Sequence, residues 1–255
     1  MNRCLSDLVS QALEYEYRSI LDIGAGNGFA SKVFAENGKD VTATGLSIDT
    51  YGRSNFVTTV SLHENVFIED MHIFSDSQFD AVWCSHVLEH TQNPGRALNE
   101  IHRVLKDGGY LFIVVPEYTD LIVGGHVSTG WNIGVLMYNL VLSGFNVRSG
   151  RFINHCWNVT GFVQKTQPLI ADLRHDDGDI ELLGQLFPEA LNVKQGFNGK
   201  INSCNWVWTG VDKDAAKRRW LKYRAINFFH SLIPPLLYRF LKRIKYRAGR
   251  RIKSK

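Results

Sequence analysis

No stretch of the sequence comes near the ~18–20 consecutive apolar residues that a membrane-spanning helix needs, so no transmembrane helix is expected. The opening segment MNRCLSDLVSQALEYEYRS carries acidic residues and no continuous apolar run ahead of a small-residue cleavage site. It therefore does not read as a secretory signal, and a cytoplasmic location is the expectation. Cysteine is scarce: Cys4, Cys84, Cys156 and Cys204 lie far apart and form no C-x-x-C pair. This spacing argues against a zinc knuckle and a disulfide framework, so unpaired thiols and no metal site are expected. Internal repeats and low-complexity tracts are also lacking.

What is present is an uneven distribution of charge. Residues 213–255 hold 15 Lys/Arg against one acid, Asp214, whereas residues 1–212 hold 14 Lys/Arg against 24 Asp/Glu. A body of net charge −10 is thus joined to a tail of net charge +14. In the tail Trp220, Tyr223, Phe228, Phe229, Leu236, Leu237 and Phe240 interleave with the basic residues, and Pro234-Pro235 divides it into two short helical segments. Basic residues around an apolar face make an amphipathic helix suited to an anionic membrane surface, which points to peripheral docking on the inner face of the membrane. Nucleic acid is disfavoured as a partner, because the cluster FFHSLIPPLLYRF is more apolar than base stacking requires. Packing on the body or on a second subunit is the remaining alternative. The expected organisation is a core over 1–167, a lid or insertion over 168–212 and the tail over 213–255.

The body alternates strand and helix patterns. Strands read at SILDI, VTATGL, NVFIE, FDAVWCS and GYLFIVVP, with a helix from Leu5 to Tyr17 ahead of the first. A helix with Pro94 near its first turn runs through PGRALNEIHRVLK to Gly108-Gly109. A helix over WNIGVLMYNLVLSG follows, then FNVRSGRF and WNVTGFVQKT as an antiparallel pair, and a helix over GDIELLGQLF stopped by Pro188. The fold class expected is α/β: a doubly wound, mostly parallel seven-stranded sheet with an antiparallel edge hairpin, followed by the tail.

The turn LDIGAGNGFAS, after the first strand, spaces its glycines as G-x-G-x-G, with Phe29 following Gly28. A dinucleotide fingerprint places its third glycine one residue later, and Asp22 at the strand end puts negative charge where a pyrophosphate would sit. A cationic ligand suits such a crevice better. LDIGAGNGFAS resembles motif I of the class I S-adenosylmethionine-dependent methyltransferases. FDAVWCSHVLEHTQNPGRALNEIHRVLKDGGYLFIVVP is similar to the fourth and fifth strands and intervening helix of the small-molecule, type 11-like branch. The resemblance implies S-adenosylmethionine as cofactor, held by Asp22, Gly24, Ala25, Gly26, Gly28, Ser47, Asp70, Met71 and Ser85. Asp22 would meet the cofactor's ammonium and Asp70 its adenine amino group, while Asp70 read by itself would be a helix N-cap. The family's usual ribose-binding acid is missing at TGLSID, where Leu46 and Ser47 stand, and Ser47 or Asp49 is expected to substitute.

Methyl transfer to a hydroxyl benefits from a general base, and histidine is the residue suited to it near neutral pH. His86 and His126 are the catalytic candidates. His90 reads as structural, His155 as packed at a strand start, and Glu117 as an exposed loop carboxylate, with orienting a base or meeting a sugar hydroxyl as its alternative. The stretch GHVSTGWNIGVLMYNLVLSGFNVRSG resembles methyltransferases of bacterial surface-polysaccharide biosynthesis, which implies a glycan or lipid-linked sugar as acceptor. TGLSID, similar to the cyclopropane-synthase branch, favours a lipid or quinone as the alternative. A third reading keeps the fold as a binding module without catalysis.

Overall fold

Seven strands, β1 (Ser19–Ile23), β2 (Asp40–Gly45), β3 (Ser61–Glu64), β4 (Phe79–Ser85), β5 (Leu105–Pro116), β6 (Asn146–His155) and β7 (Asn158–Gln164), form one sheet in the order β3-β2-β1-β4-β5-β7-β6. Neighbours among β1–β5 pair in parallel, and β7 runs antiparallel to both β5 and β6. The strand order reverses between β1 and β4. The crevice outside their carboxyl ends is therefore the topological switch point, where open α/β sheets bind ligands. The computed structural model describes residues 3–46, 55–117, 124–166, 179–191 and 204–206, all within one compact unit, Met1–Val207. Ser47, Asp49, much of the expected lid and the whole tail 213–255 lie outside the described residues.

Helices α1 (Arg3–Ala12), α2 (Phe29–Glu36), α3 (Pro94–Val104), α4 (Ile133–Leu142) and α5 (Asp179–Leu186) connect or flank the strands. Side chains alternate across a strand, so Leu21, Val82, Cys84, Leu111 and Ile113 share one face, where they join Leu98 and Ile101 of α3 and Leu136 and Leu140 of α4 in a buried cluster. Trp83 and Phe112 point to the other face. There Phe34 of α2 meets Trp83 with ring centroids 5.7 Å apart, and Tyr15 and Tyr17, beyond α1, meet Phe112 at 5.3 and 5.6 Å. Burial of each such large side chain stabilises the sheet–helix layers by roughly 1.5–3 kcal/mol. Among the described residues no helix is long and apolar enough to cross a membrane.

Several local expectations are corrected. The third strand is 61–64, not NVFIE at 65–69. The Asn65 N–H closes the ladder on the Gly45 carbonyl, Asn65 itself takes φ 60°, and the chain then turns through a Phe67–Asp70 bridge. Asparagine tolerates that left-handed conformation, which ends the strand. Helix α1 stops at Ala12, well short of Tyr17. Helix α3 stops at Val104, before the two glycines: Lys165, almost fully buried, donates from Nζ to the carbonyls of His102 (2.9 Å) and Leu105 (2.8 Å), capping the helix end from β7's side.

The expectation of four unpaired thiols is also corrected: Cys4 and Cys156 form a disulfide across a sequence separation of 152, and only Cys84 and Cys204 are free. Sequence spacing carries no information on such a pair, because α1 reaches the β6–β7 turn only in the folded chain.

Candidate active site

The turn between β1 and α2 is shaped by three glycines in the left-handed region, Gly24 (φ 68°), Gly26 (φ 55°) and Gly28 (φ 79°). Only glycine adopts this conformation without steric cost. Space is restricted too: a Cβ on Gly24 would lie 2.5 Å from Val87 Cγ2, and one on Gly28 would lie 2.9 Å from the Phe56 ring. The Ala25 N–H donates to the Thr44 carbonyl (2.9 Å), which ties the turn to the end of β2. Together these features bring bare backbone to the switch-point crevice.

Asp22, in β1, is 2% exposed and accepts a hydrogen bond of 2.5 Å from Ser31 Oγ on α2. Burial pushes its pKa up to about 7, against the opposing effect of the Ser31 hydrogen bonds. A cation brought alongside would favour its ionised form. Cys84, two residues from His86 and fully buried, has its thiol pKa pushed up by burial, with the charges of Glu89 and Asp22 adding to the effect.

At the carboxyl end of β4 the chain turns sharply. His86 takes φ 56° while its N–H donates to the Val114 carbonyl (2.9 Å), and a single 3-10 turn, Leu88–His90, follows. His86 stands just ahead of this turn, and its Nδ1 lies 3.0 Å from Oε1 of Glu89. The Glu89 carboxylate is fully buried, its Oε2 has no hydrogen-bond partner, and the hydroxyl of Ser85 is likewise buried and unpartnered. The Glu89 carbonyl accepts from the N–H groups of Val127 (2.8 Å) and Ser128 (3.1 Å), which holds the segment carrying His126 against this turn. His90 Nδ1 donates to the Gly125 carbonyl (2.8 Å), and the His126 ring stands edge-on to that of His90 at 4.9 Å.

The sequence-derived site residues thus divide. Asp22, Gly24, Ala25, Gly26, Gly28, Ser85, His86 and His126 all follow or end strands at the carboxyl edge of the sheet. Asp70 lies in the turn after β3, exposed, with His72 Nδ1 3.3 Å away. The neighbouring Glu69 is committed to the α3 entrance, its carboxylate accepting from the N–H groups of Gln92 (3.0 Å) and Asn93 (3.2 Å). Met71 has a fully buried side chain; its N–H donates to Glu100 (2.8 Å) and its carbonyl accepts from Arg103 (3.0 Å). Glu117 donates its N–H to the Trp157 carbonyl and accepts from Asn154 Nδ2, each at 2.8 Å. Sequence reading passed over Glu89, although its i+3 spacing from His86 was visible in SHVLEH.

A sheet of this order, with one reversed strand next to its edge, is the fold this chain shares with solved S-adenosylmethionine-dependent methyltransferases. Residues 21–113 match the family model Methyltransf_11, described as a methyltransferase domain. The chain is 30% identical over 111 residues to the ubiquinone biosynthesis O-methyltransferase of Dechloromonas aromatica, covering 42% of this chain and 48% of that protein. It is 32% identical over 117 residues to the protein of the same name from Xanthomonas oryzae pv. oryzae, covering 44% and 49%. It therefore spans about half the length of these relatives. Among solved structures, an S-adenosylmethionine-dependent methyltransferase from Archaeoglobus fulgidus superposes with TM-score 0.54 at 17% identity, covering 65% of this chain and 95% of that one. The 1,6-didemethyltoxoflavin-N1-methyltransferase of Burkholderia thailandensis, with bound S-adenosylhomocysteine, gives 0.51 at 20% identity and covers 65% and 78%. At these identities the two structures establish the fold.

Proposed function

We propose that this chain is an O-methyltransferase that takes its methyl group from S-adenosylmethionine and places it on a phenolic hydroxyl of a quinone-class, lipid-soluble acceptor. The observation that carries the transferase reading is the junction of the three-glycine turn with buried Asp22 at the switch point. The acceptor class is supported by the two relatives, whose names give ubiquinone biosynthesis as their role. This replaces the glycan acceptor as the preferred reading.

The residues present fit the cofactor. When bound, S-adenosylmethionine supplies a methyl group on a sulfonium, a good leaving group for in-line substitution. The glycine turn offers backbone without side-chain obstruction, Asp22 offers a carboxyl that a neighbouring cation would ionise, and Ser85 offers an unpartnered hydroxyl. Asp70 is the exposed carboxylate after β3 available to an amino group. Among the acceptor-side residues, Glu89 takes the Nδ1–H of His86, which leaves His86 Nε2 as the basic nitrogen to accept the hydroxyl proton. His126, standing against His90, lines the acceptor side of the same turn. The basic, apolar tail would bring the domain to the anionic membrane surface where such an acceptor resides.

The test is incubation of the purified full chain with methyl-labelled S-adenosylmethionine and, in separate reactions, a prenylated catechol and a lipid-linked sugar. Label in the catechol ether supports the reading. Label in the sugar alone would return the acceptor to the glycan class, and failure to bind S-adenosylmethionine by calorimetry would leave only a binding module.

A further inference from the structure

The Cys4–Cys156 bridge has a third neighbour that a disulfide does not require. His155 Nε2 lies 2.9 Å from Cys156 Sγ, and the ligand atoms of Cys4, His155 and Cys156 all fall within 4.8 Å of one another. A disulfide sulfur carries no proton and accepts hydrogen bonds weakly. An imidazole nitrogen at this distance has more to do beside a thiolate than beside a bridged sulfur. The Cα atoms of the two cysteines stand 6.5 Å apart, near the long end of the range that disulfides span. Two thiolates on one tetrahedral ion, each about 2.3 Å from it, place their Cα atoms comparably far apart, so neither element needs to move far.

We infer that the reduced chain binds a zinc-type divalent ion through Cys4 Sγ, Cys156 Sγ and His155 Nε2, and that formation of the disulfide excludes the ion. Two thiolates and an imidazole are the donor set such an ion prefers. These three donors leave one position of a tetrahedral ion open. The chemistry balances. A dithiol reductant breaks the S–S bond, gives a proton and an electron to each cysteine sulfur and leaves as its own disulfide; the ion then displaces both thiol protons. A small-molecule disulfide oxidant, exchanging with the zinc-free dithiol and leaving as two thiols that carry the two protons and two electrons, restores the bridge.

Location gives the site a consequence. The two-residue loop Cys156-Trp157 joins β6 to β7, and Asn158 pairs with Pro116 at the carboxyl end of β5. The Trp157 carbonyl accepts from the Glu117 N–H. The loop therefore sits on the same edge of the sheet as the glycine turn and His86, and the Cys4 end of α1 is fastened to that edge in either state: covalently when oxidised, through the ion when reduced.

Cobalt(II) is the probe, with the full chain made metal-free and kept reduced by a phosphine. The expected result is one equivalent bound with a sulfur-to-cobalt charge-transfer band and tetrahedral visible bands, displaced by zinc. The band should vanish in the oxidised chain and in Cys4→Ser and Cys156→Ser. It should weaken at least ~10-fold in apparent affinity in His155→Ala and persist in Cys84→Ser and Cys204→Ser. A second donor cluster, Glu89, His90 and His126, contains no sulfur. Cobalt bound without the charge-transfer band would place the ion there and overturn the inference. Should the cysteine variants not fold, the wild-type chain decides alone, since a band in both redox states, or in neither, overturns it equally.

Discussion

His86 Nδ1 and Glu89 Oε1 are 3.0 Å apart, with the Glu89 side chain almost wholly buried and that of His86 41% exposed. A buried carboxylate thus holds a partly exposed imidazole by one nitrogen, and under the proposed function the other nitrogen accepts the hydroxyl proton. His86→Ala is expected to lower kcat by about 10²–10⁴-fold, the usual contribution of a general base, with the affinity for S-adenosylmethionine little changed. Glu89→Gln acts through His86 and should lower kcat by a smaller factor while leaving the acceptor KM nearly unchanged. Steady-state kinetics with the catechol acceptor check both, and unchanged kcat in His86→Ala would remove it from the reaction.

Asp22 links pH to both stability and binding. Its folded pKa, about 7, is raised above the ordinary carboxyl value by burial, so the stability it contributes is fully present below about pH 4 and is lost as pH rises through about 7. The loss is on the order of a few kcal/mol. Thermal unfolding of the cofactor-free chain should therefore show less decline between pH 4 and 7 in Asp22→Asn than in the wild type. Below pH 7, a cationic cofactor placed beside Asp22 should drive off a proton, seen as calorimetric heats that depend on the buffer; Asp22→Asn should abolish that dependence.

Gly24 separates two physical costs. Alanine there meets Val87 Cγ2 at 2.5 Å and must also hold φ 68°. Gly24→Ala should weaken S-adenosylmethionine binding and lower stability. Adding Val87→Ala should restore only part of it, leaving the left-handed backbone cost of roughly 1–2 kcal/mol. Full restoration by the double substitution would show that the backbone conformation is immaterial.

Lys165 works at the opposite edge of the sheet. Its Nζ donates to two carbonyls, and Asp107 Oδ1 lies 3.4 Å away. Lys165→Met should destabilise the chain by roughly 1–3 kcal/mol in urea unfolding, because buried carbonyls lose their donor. S-adenosylmethionine affinity should be unchanged; a large loss would mean that the two edges are coupled.

The tail is tested by deletion. Removal of residues 213–255 takes away net charge +14. The truncated chain should lose co-sedimentation with phosphatidylserine-containing vesicles, and the full chain's binding should weaken with added salt. Equal sedimentation of both chains would assign the tail another partner.

Local pattern determined much of this protein. Alternation of strand and helix, the glycines at 24, 26 and 28, and Pro94 at the first position of α3 specify elements whose propensities and turn chemistry agree with the final sheet, because each is a short-range preference. Where a short-range signal was ambiguous, tertiary contacts prevailed. Asn65 ends β3 earlier than the apolar residues of NVFIE suggest, and Lys165, a full strand away, ends α3 before its glycines. Met71 reads as a cofactor neighbour by position, and its contacts with Glu100 and Arg103 are visible only in the folded chain. Only the folded chain brings Cys4 to Cys156 and His155, since residues 152 apart meet through the packing of α1 against the sheet edge rather than through any property of their own neighbours in sequence.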